Sequence, residues 1–386
     1  MYVRRLTLAD FRNYHQLELE LPASLLLFLG RNAQGKTNLL EAVYLLSTVR
    51  SPRSGSDLEL INWQASQDAP PVARIVAEAE RRDGLVRVEM AVRGPDEAHA
   101  RAGKRLRLNG VPQRAAQVVG QISSVLFTPQ DLDLIGGAPS LRRRFLDVML
   151  SQVDGRYLTA SQTYAKVVIQ RNALLRRIRD RSARPDELTF WDSRLSDSGA
   201  YIVEARTAAT IRSADLAAAA HRELSGGTEE LRLVYEPRWA RDWTAADLAG
   251  KDRAALAAAF LDTLAQSRAQ ETAAGATLWG PHRDDFLLFI DGRPAAAFAS
   301  RAQWRTAALA LRLAEARFLL DATGDRPVLL LDDVLSEMDG ERRRAVLDAL
   351  TGFDQVWITS AEEEYVRAAV PSARVFLVRE GHVSPG

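Results

Sequence analysis

A glycine-rich run ending in Lys-Thr carries the clearest chemical signal in this sequence. Gly30-Arg31-Asn32-Ala33-Gln34-Gly35-Lys36-Thr37 fits G-x-x-x-x-G-K-[ST] without a mismatch. Chemistry sets the spacing. Such a loop turns successive backbone N–H groups onto phosphate oxygens, and its glycines let the main chain come close. Lys36 is placed to reach the outer phosphates, and Thr37 to give its hydroxyl oxygen to Mg²⁺. A helix starting here adds a field that favours negative charge. The flanks suit this reading: an apolar run at residues 25–29 precedes the loop, and helical periodicity at 38–48 follows it.

A second run supplies acid. Leu329-Leu330-Leu331-Asp332-Asp333 reads as a buried strand that delivers Asp332 to its carboxyl end, where open α/β sheets bind ligands. Asp332 is expected to hold Mg²⁺, directly or through water, and Asp333 to orient the attacking water or act as base. Together the two runs resemble the ABC ATPases, which usually carry Glu at the second acidic position. Asp is one methylene shorter, so slow turnover is expected. Ser336-Glu337-Met338-Asp339 resembles the D-loop that crosses the dimer interface in those proteins. Thr359 ends the next apolar run, where many ABC proteins place a switch histidine, and its hydroxyl would have to sense the γ-phosphate.

ABC ATPases also need a signature loop that touches the γ-phosphate from the opposite subunit. Leu224-Ser225-Gly226-Gly227 is the literal match. It lies far ahead of the acidic strand, however, and leads into an alternating segment, so it reads as a helix-ending turn. Ser300-Arg301-Ala302-Gln303 is the better candidate, because it opens the long helix before the acidic strand. Both Ser300 and that helix N-terminus can donate to phosphate. Ala302 stands where glycine is usual, and its methyl is expected to weaken dimer closure.

The elements that position these residues follow from periodicity. Residues 2–21 alternate as two strands, and 72–80, 85–92 and 105–108 alternate again, with Asn109-Gly110 as a hairpin turn. From about residue 140 to 270 the chain has helical spacing rich in Ala, Arg, Leu and Glu, broken by Pro185 and the Ser225-Gly226-Gly227 turn. The last part returns to strands at 286–290, 328–331, 356–359 and 375–378 around an amphipathic helix at 303–320. The predicted fold is α/β: an ABC-type P-loop ATPase head with an added antiparallel sheet and an inserted α-helical lobe. The expected division is 1–140 and 276–386 for the ATPase lobe, with 141–275 as the helical insert.

Composition leaves the partner open. The 386 residues carry 51 Lys and Arg against 50 Asp and Glu, so any nucleic-acid surface must be local. There are no cysteines, which excludes a disulfide framework and any Cys-based metal site. The short apolar run at 25–29 is neither a membrane span nor a signal-peptide core, so a soluble cytoplasmic protein without membrane partners is expected. Arg142, Arg143 and Arg144, and the denser Arg171, Arg176, Arg177, Arg179, Arg181 and Arg184, are the candidate DNA-phosphate contacts. No stacking platform of interleaved aromatics is visible, which favours the duplex backbone over single strands.

Further blocks narrow the family. Leu8-Ala9-Asp10-Phe11-Arg12-Asn13-Tyr14 opens the chain, and the phosphate loop continues through Asn38-Leu39-Leu40-Glu41-Ala42. Leu126-Phe127-Thr128-Pro129-Gln130-Asp131-Leu132, then Arg142-Arg143-Arg144-Phe145-Leu146-Asp147, and finally Gly280-Pro281-His282-Arg283-Asp284-Asp285 complete the set. In this order they resemble the RecF family of bacterial recombination and gap-repair ATPases along nearly the whole chain. The resemblance implies ATP and Mg²⁺ as cofactors, a homodimer formed on ATP binding, contact with duplex DNA near gaps, and release on hydrolysis. It also implies work with RecR and RecO to load RecA onto single strands coated with single-strand-binding protein. By position it makes Arg12, Asn13 and Asn38 nucleotide contacts and puts Gln130 in a Q-loop at the metal. It gives no role to the 282–285 block.

Three alternatives share parts of the pattern. A transporter ATPase subunit is disfavoured by the helical insert and the Asp332-Asp333 pair. An SMC-type chromosome-organising head is disfavoured by the lack of sustained heptads. An OLD-type nuclease would need a carboxylate-rich metal domain, which the sequence does not offer.

Overall fold

The computed structural model describes all residues except 66–70, 96–102, 241–242, 336–337, 339, 363–366 and 368. Ser336, Glu337 and Asp339 of the D-loop-like run therefore lie outside the described residues.

The alternating N-terminal residues form β1 (Tyr2–Phe11) and β2 (Tyr14–Glu20), and the apolar run forms β3 (Leu25–Leu29). Next come β4 (Val72–Arg81), β5 (Gly84–Arg93), β6 (Gly103–Leu108), β7 (Val111–Gln113) and β8 (Ser124–Phe127). β9 (Leu231–Glu236) interrupts the helical region, and β10 (Asp285–Ile290) and β11 (Arg293–Pro294) follow it. β12 (Val328–Asp332), β13 (Val356–Ser360), β14 (Arg374–Arg379) and β15 (His382–Pro385) close the chain.

Three sheets result. β2-β1-β4-β5-β6-β7 is antiparallel, with the register of β6 and β7 set by Asn109 and Gly110, both at positive φ. β15-β14-β3-β13-β12-β8 is parallel except at its β15 edge. Its central strands are buried on both faces, which is why they read as unbroken apolar runs rather than alternations. The small β11-β10-β9 sheet is antiparallel.

The chain divides into two compact units, residues 1–131, 223–226 and 309–386 in one, and 132–222 and 227–308 in the other. The second unit thus takes in residues 276–308, which sequence assigned to the ATPase lobe. The pairing of β10 with β9 binds that segment to a strand set among the helices.

The first unit holds the parallel and the large antiparallel sheet. The second holds the helices Pro139–Val153, Gly155–Arg179 and Arg253–Ala274 and nearly all of the 37-residue helix Leu188–Leu224. Ser225-Gly226-Gly227 ends that last helix: Gly226 and Gly227 have positive φ, and the Gly227 N–H donates to Arg222 O at 2.8 Å.

Buried charge organises the second unit and corrects the arginine reading. Arg171 is wholly buried and donates to Asp192, Glu271 and Thr277 at 2.7–2.9 Å. Arg142 makes a buried bidentate pair with Asp285, and Arg143 donates to Asp284 O. Arg171 and Arg142 are buried in ion pairs that hold the fold and are not an external phosphate contact, whereas Arg143 is half-buried. Arg176, Arg177, Arg179, Arg181 and Arg184 remain exposed around the end of their helix.

The 282–285 block gains a structural role from the same network. Asp284 is buried and accepts from Tyr235 Oη and the Arg238 N–H. Tyr164 Oη and His282 Nδ1 are 2.7 Å apart, and the other ring nitrogen of His282 faces Thr277 O.

Candidate nucleotide-binding site

β3 runs straight into the phosphate loop, and the helix Lys36–Thr48 leaves it. The two motif glycines are required for different reasons. A Cβ on Gly30 would stand 2.2 Å from Val378 O, so the neighbouring strand excludes any side chain. Gly35 has φ +112°, a conformation closed to ordinary residues, and a Cβ there would strike Asn13. Ala33 also takes a left-handed turn, at φ 65°. Gln34 is fastened by its carbonyl to Asn13 Nδ2 and by its side chain to the Glu380 N–H.

Lys36 folds its ammonium back onto the loop, donating to Gly30 O at 2.5 Å and Arg31 O at 2.9 Å. Burial lowers its pKa, while the charges of Asp333 and Asp332 oppose that shift. The lysine therefore stays next to the loop it must serve, held by carbonyls that a phosphate can replace.

Parallel pairing of β12 beside β13, and of β13 beside β3, brings the acidic strand end to the loop. Thr37 Oγ1 donates to Asp332 Oδ1 at 2.8 Å, although the two lie 295 residues apart in sequence. Thr359 ends the strand between them. Its hydroxyl donates to Asp332 Oδ1 at 2.8 Å and accepts the Asp333 N–H at 3.0 Å. In this arrangement it serves the two carboxylate residues. Asp333 itself sits at φ 52°, a sparsely populated conformation of the kind found at functional sites.

Hydroxyl and carboxylate side by side suit Mg²⁺, which takes one or two protein oxygens and completes its shell with phosphate and water. Gln130 is exposed in the turn after β8, the strand paired with β12. That turn is pinned by Asp131, which accepts from the Thr128 N–H and from Arg312 at two positions.

The turn between β1 and β2 lies against the loop. Tyr14 Oη donates to Gly35 O, and Asn38 Nδ2 donates to Asn13 Oδ1 at 2.7 Å. Arg12 and Asn13 line a pocket of about 980 Å³ together with Asn38, Arg53, Leu58 and Trp63, and Trp63 is 85% exposed. Arg12 reaches this wall already paired, donating at 2.9 and 2.7 Å to the two oxygens of Glu41. Glu41 also accepts from Ser51 and Arg53. Burial pushes its pKa up, but Arg12, Ser51 and Arg53 outweigh that and hold it below the ordinary carboxylate range. Sequence reasoning missed this hub. Its one signal was a lone acid in an otherwise apolar helical stretch.

Ser300 belongs to the second unit. It forms a reciprocal cap with Gln303: the Gln303 N–H donates to Ser300 Oγ at 3.2 Å, and the Ser300 N–H donates to Gln303 Oε1 at 2.8 Å. The helix Arg301–Thr323 starts there, with Ser300 and Arg301 exposed.

Residues 2–384 match the family described as RecF/RecN/SMC N terminal domain. The chain is 43% identical over 403 residues to the DNA replication and repair protein RecF of Roseiflexus castenholzii, covering all of both chains. This chain belongs to the RecF family. A RecF of Bacillus velezensis is 34% identical over 387 residues, with 99% of each chain covered. Among solved structures, a recombination mediator RecF with ATPrS, described as part of the RecFOR pathway, superimposes with a TM-score of 0.88 at 30% identity, covering 100% of this chain and 98% of that one. The Smc head domain of Pyrococcus furiosus gives a TM-score of 0.55 at 14% identity, covering 99% of this chain and 95% of that one, a likeness of fold alone. Among the described residues, no helix is long and apolar enough to cross a membrane.

Proposed function

We propose that this chain is an ATP-dependent DNA-binding protein of recombinational gap repair that dimerises on ATP and lets go of DNA on hydrolysis. The observation that carries the nucleotide part is the 2.8 Å contact between Thr37 and Asp332, which joins phosphate loop and acidic strand into one site. The repair part rests on full-length relatedness to proteins named for DNA replication and repair.

In the proposed cycle, the backbone N–H groups of residues 30–37 hold the phosphates, and Lys36 exchanges its loop carbonyls for the outer phosphate oxygens. The base and ribose lie toward the pocket of Arg12, Asn13, Asn38 and Trp63. Thr37, Asp332 and Gln130 would hold Mg²⁺, which would neutralise charge developing on the phosphates. Asp333 orients the attacking water. Ser300 and Gln303 of a second copy close over the γ-phosphate, so ATP stabilises the dimer only through its better fit in the closed state. Loss of that phosphate opens the dimer. Turnover is slow and stimulated by DNA, the partners are RecR and RecO, and the outcome is RecA loading at gaps in the cytoplasm.

The test is fluorescence anisotropy of a labelled duplex and a gapped duplex at one fixed salt concentration. The protein is measured with Mg-ATP, with Mg-ADP, and as Lys36→Met with Mg-ATP. Binding with ATP alone, lost in the variant and falling steeply with salt, is the expected result. Equal binding in all three states would refute a nucleotide-gated clamp.

A further inference from the structure

The cap at Ser300 is not self-supporting. Gln303 Nε2 donates to Glu229 Oε1 at 3.0 Å, and Glu229 Oε2 lies 3.0 Å from His221 Nε2. Glu229 thus stands between a cap residue and a histidine one turn from the end of the helix Leu188–Leu224. All of these residues belong to the second unit.

Each link has one workable polarity. His221 is fully buried, and its Nδ1 has no hydrogen-bond partner. Burial lowers the His221 pKa against the opposing pull of Glu229, so the ring is neutral and its Nε2–H donates to the carboxylate. Gln303 then has both amide ends assigned, its NH₂ to Glu229 and its oxygen to the Ser300 N–H. A rotated Gln303 amide would put oxygen against carboxylate and break both contacts. Glu229 therefore sets the amide orientation, and the amide sets the cap.

The segment that carries Glu229 is also fixed. The Glu230 N–H donates to Asp291 Oδ1 at 2.9 Å, and the Asp291 N–H donates to Glu230 O at 3.0 Å. Asp291 begins the turn from which the chain runs through Phe298 to Ser300. A cleft of about 320 Å³, lined by Asp291, Arg293, Phe298, Ala299 and Gln303, lies beside the cap.

We infer that Glu229 is a positioning residue for the signature loop, locking the Gln303 amide so that the Ser300 hydroxyl and helix N-terminus are presented to a partner's γ-phosphate. His221 in turn makes the long helix of the second unit the support for that lock. This role rests on the proposed assignment of Ser300 to the signature loop.

The experiment compares full-length wild type, Glu229→Ala, Glu229→Gln and Ser300→Ala. Binding of a fluorescent ATP analogue with Mg²⁺ is measured at protein concentrations too low for dimers, and ATP-dependent dimerisation by sedimentation. Glu229→Ala is expected to weaken dimerisation about tenfold, the effect of losing one charge-assisted hydrogen bond, while nucleotide affinity of the monomer changes less than about twofold. Glu229→Gln keeps an acceptor for Gln303 and is expected to restore most of the dimerisation. Wild-type dimerisation of Glu229→Ala, with Ser300→Ala defective, overturns the positioning role alone. Wild-type dimerisation of Ser300→Ala removes the signature assignment and this role with it. Equal loss in Glu229→Ala and Glu229→Gln, accompanied by lost monomer binding, shows a general folding defect and also overturns it.

Discussion

The Thr359 hydroxyl lies 2.8 Å from Asp332 Oδ1 and receives the Asp333 N–H at 3.0 Å, so one side chain ties both acidic residues to the strand beside them. Thr359→Val keeps the shape but takes one partner from the part-buried Asp333 N–H and one from an Asp332 carboxylate oxygen. Such losses cost about 1–3 kcal/mol each. Steady-state ATPase measurements are expected to show kcat reduced about tenfold or more, with nucleotide affinity changed only a few-fold. Thr359→Ser is expected to stay near wild type. Equal activity of the valine and serine variants would show that the tie does not matter.

Asp333 is expected to act on water rather than on nucleotide binding. Asp333→Asn should retain ATP-dependent dimerisation and lose about 100-fold or more in single-turnover hydrolysis, the usual range for a positioned base. A wild-type rate in the tens per second would contradict the expectation that the shorter carboxylate gives slow turnover.

Glu41 links the nucleotide pocket to stability. Glu41→Ala leaves the partly buried Arg12 and the exposed Arg53 without their shared carboxylate, and losing such charge-assisted hydrogen bonds costs about 1–3 kcal/mol. Denaturant unfolding followed by a probe in the first unit is expected to show that loss. The folded pKa of Glu41 is depressed, so its contribution is complete above the unfolded value of about 4.3 and disappears as pH falls through the lower folded value. Wild type is expected to lose stability in that acid window more steeply than Glu41→Gln.

His282 gives a pH dependence at a different place. Burial lowers its pKa from 6.5 to about 4, next to Tyr164. Between those values the unfolded chain binds the extra proton, so stability rises with pH and is complete above about 6.5. His282→Gln is expected to flatten the unfolding profile over pH 4–6.5. An unchanged profile would mean that another group sets it. Asp285→Ala, which strips Arg142 of its partner, is expected to destabilise the second unit by about 3–5 kcal/mol while leaving nucleotide affinity of the monomer intact.

Local chemistry made much of this protein legible before any fold was known. Residues 30–37 announce a phosphate loop because contiguous N–H groups, a lysine and a hydroxyl must follow one another on the chain. Leu329-Leu330-Leu331 announces a doubly covered strand because burial on both faces removes alternation. Asn109-Gly110 fixes a hairpin because few residues accept two positive φ angles in succession.

Other features depend on residues far apart in sequence, and only tertiary structure decided them. Thr37 meets Asp332 because β3, β13 and β12 lie side by side, and nothing local encodes strand order. Gly30 is required by Val378 O, a neighbour 348 positions along the chain. Arg171 and Arg142 looked like surface charge, since an arginine's sequence neighbours do not show whether a carboxylate awaits it inside. The 282–285 block had no readable role because its partners, Tyr164, Tyr235 and Arg142, come from three separate elements. Sequence specifies chemistry held within a few consecutive residues. Packing specifies chemistry shared between segments, because a buried charge persists only where the fold delivers its partner.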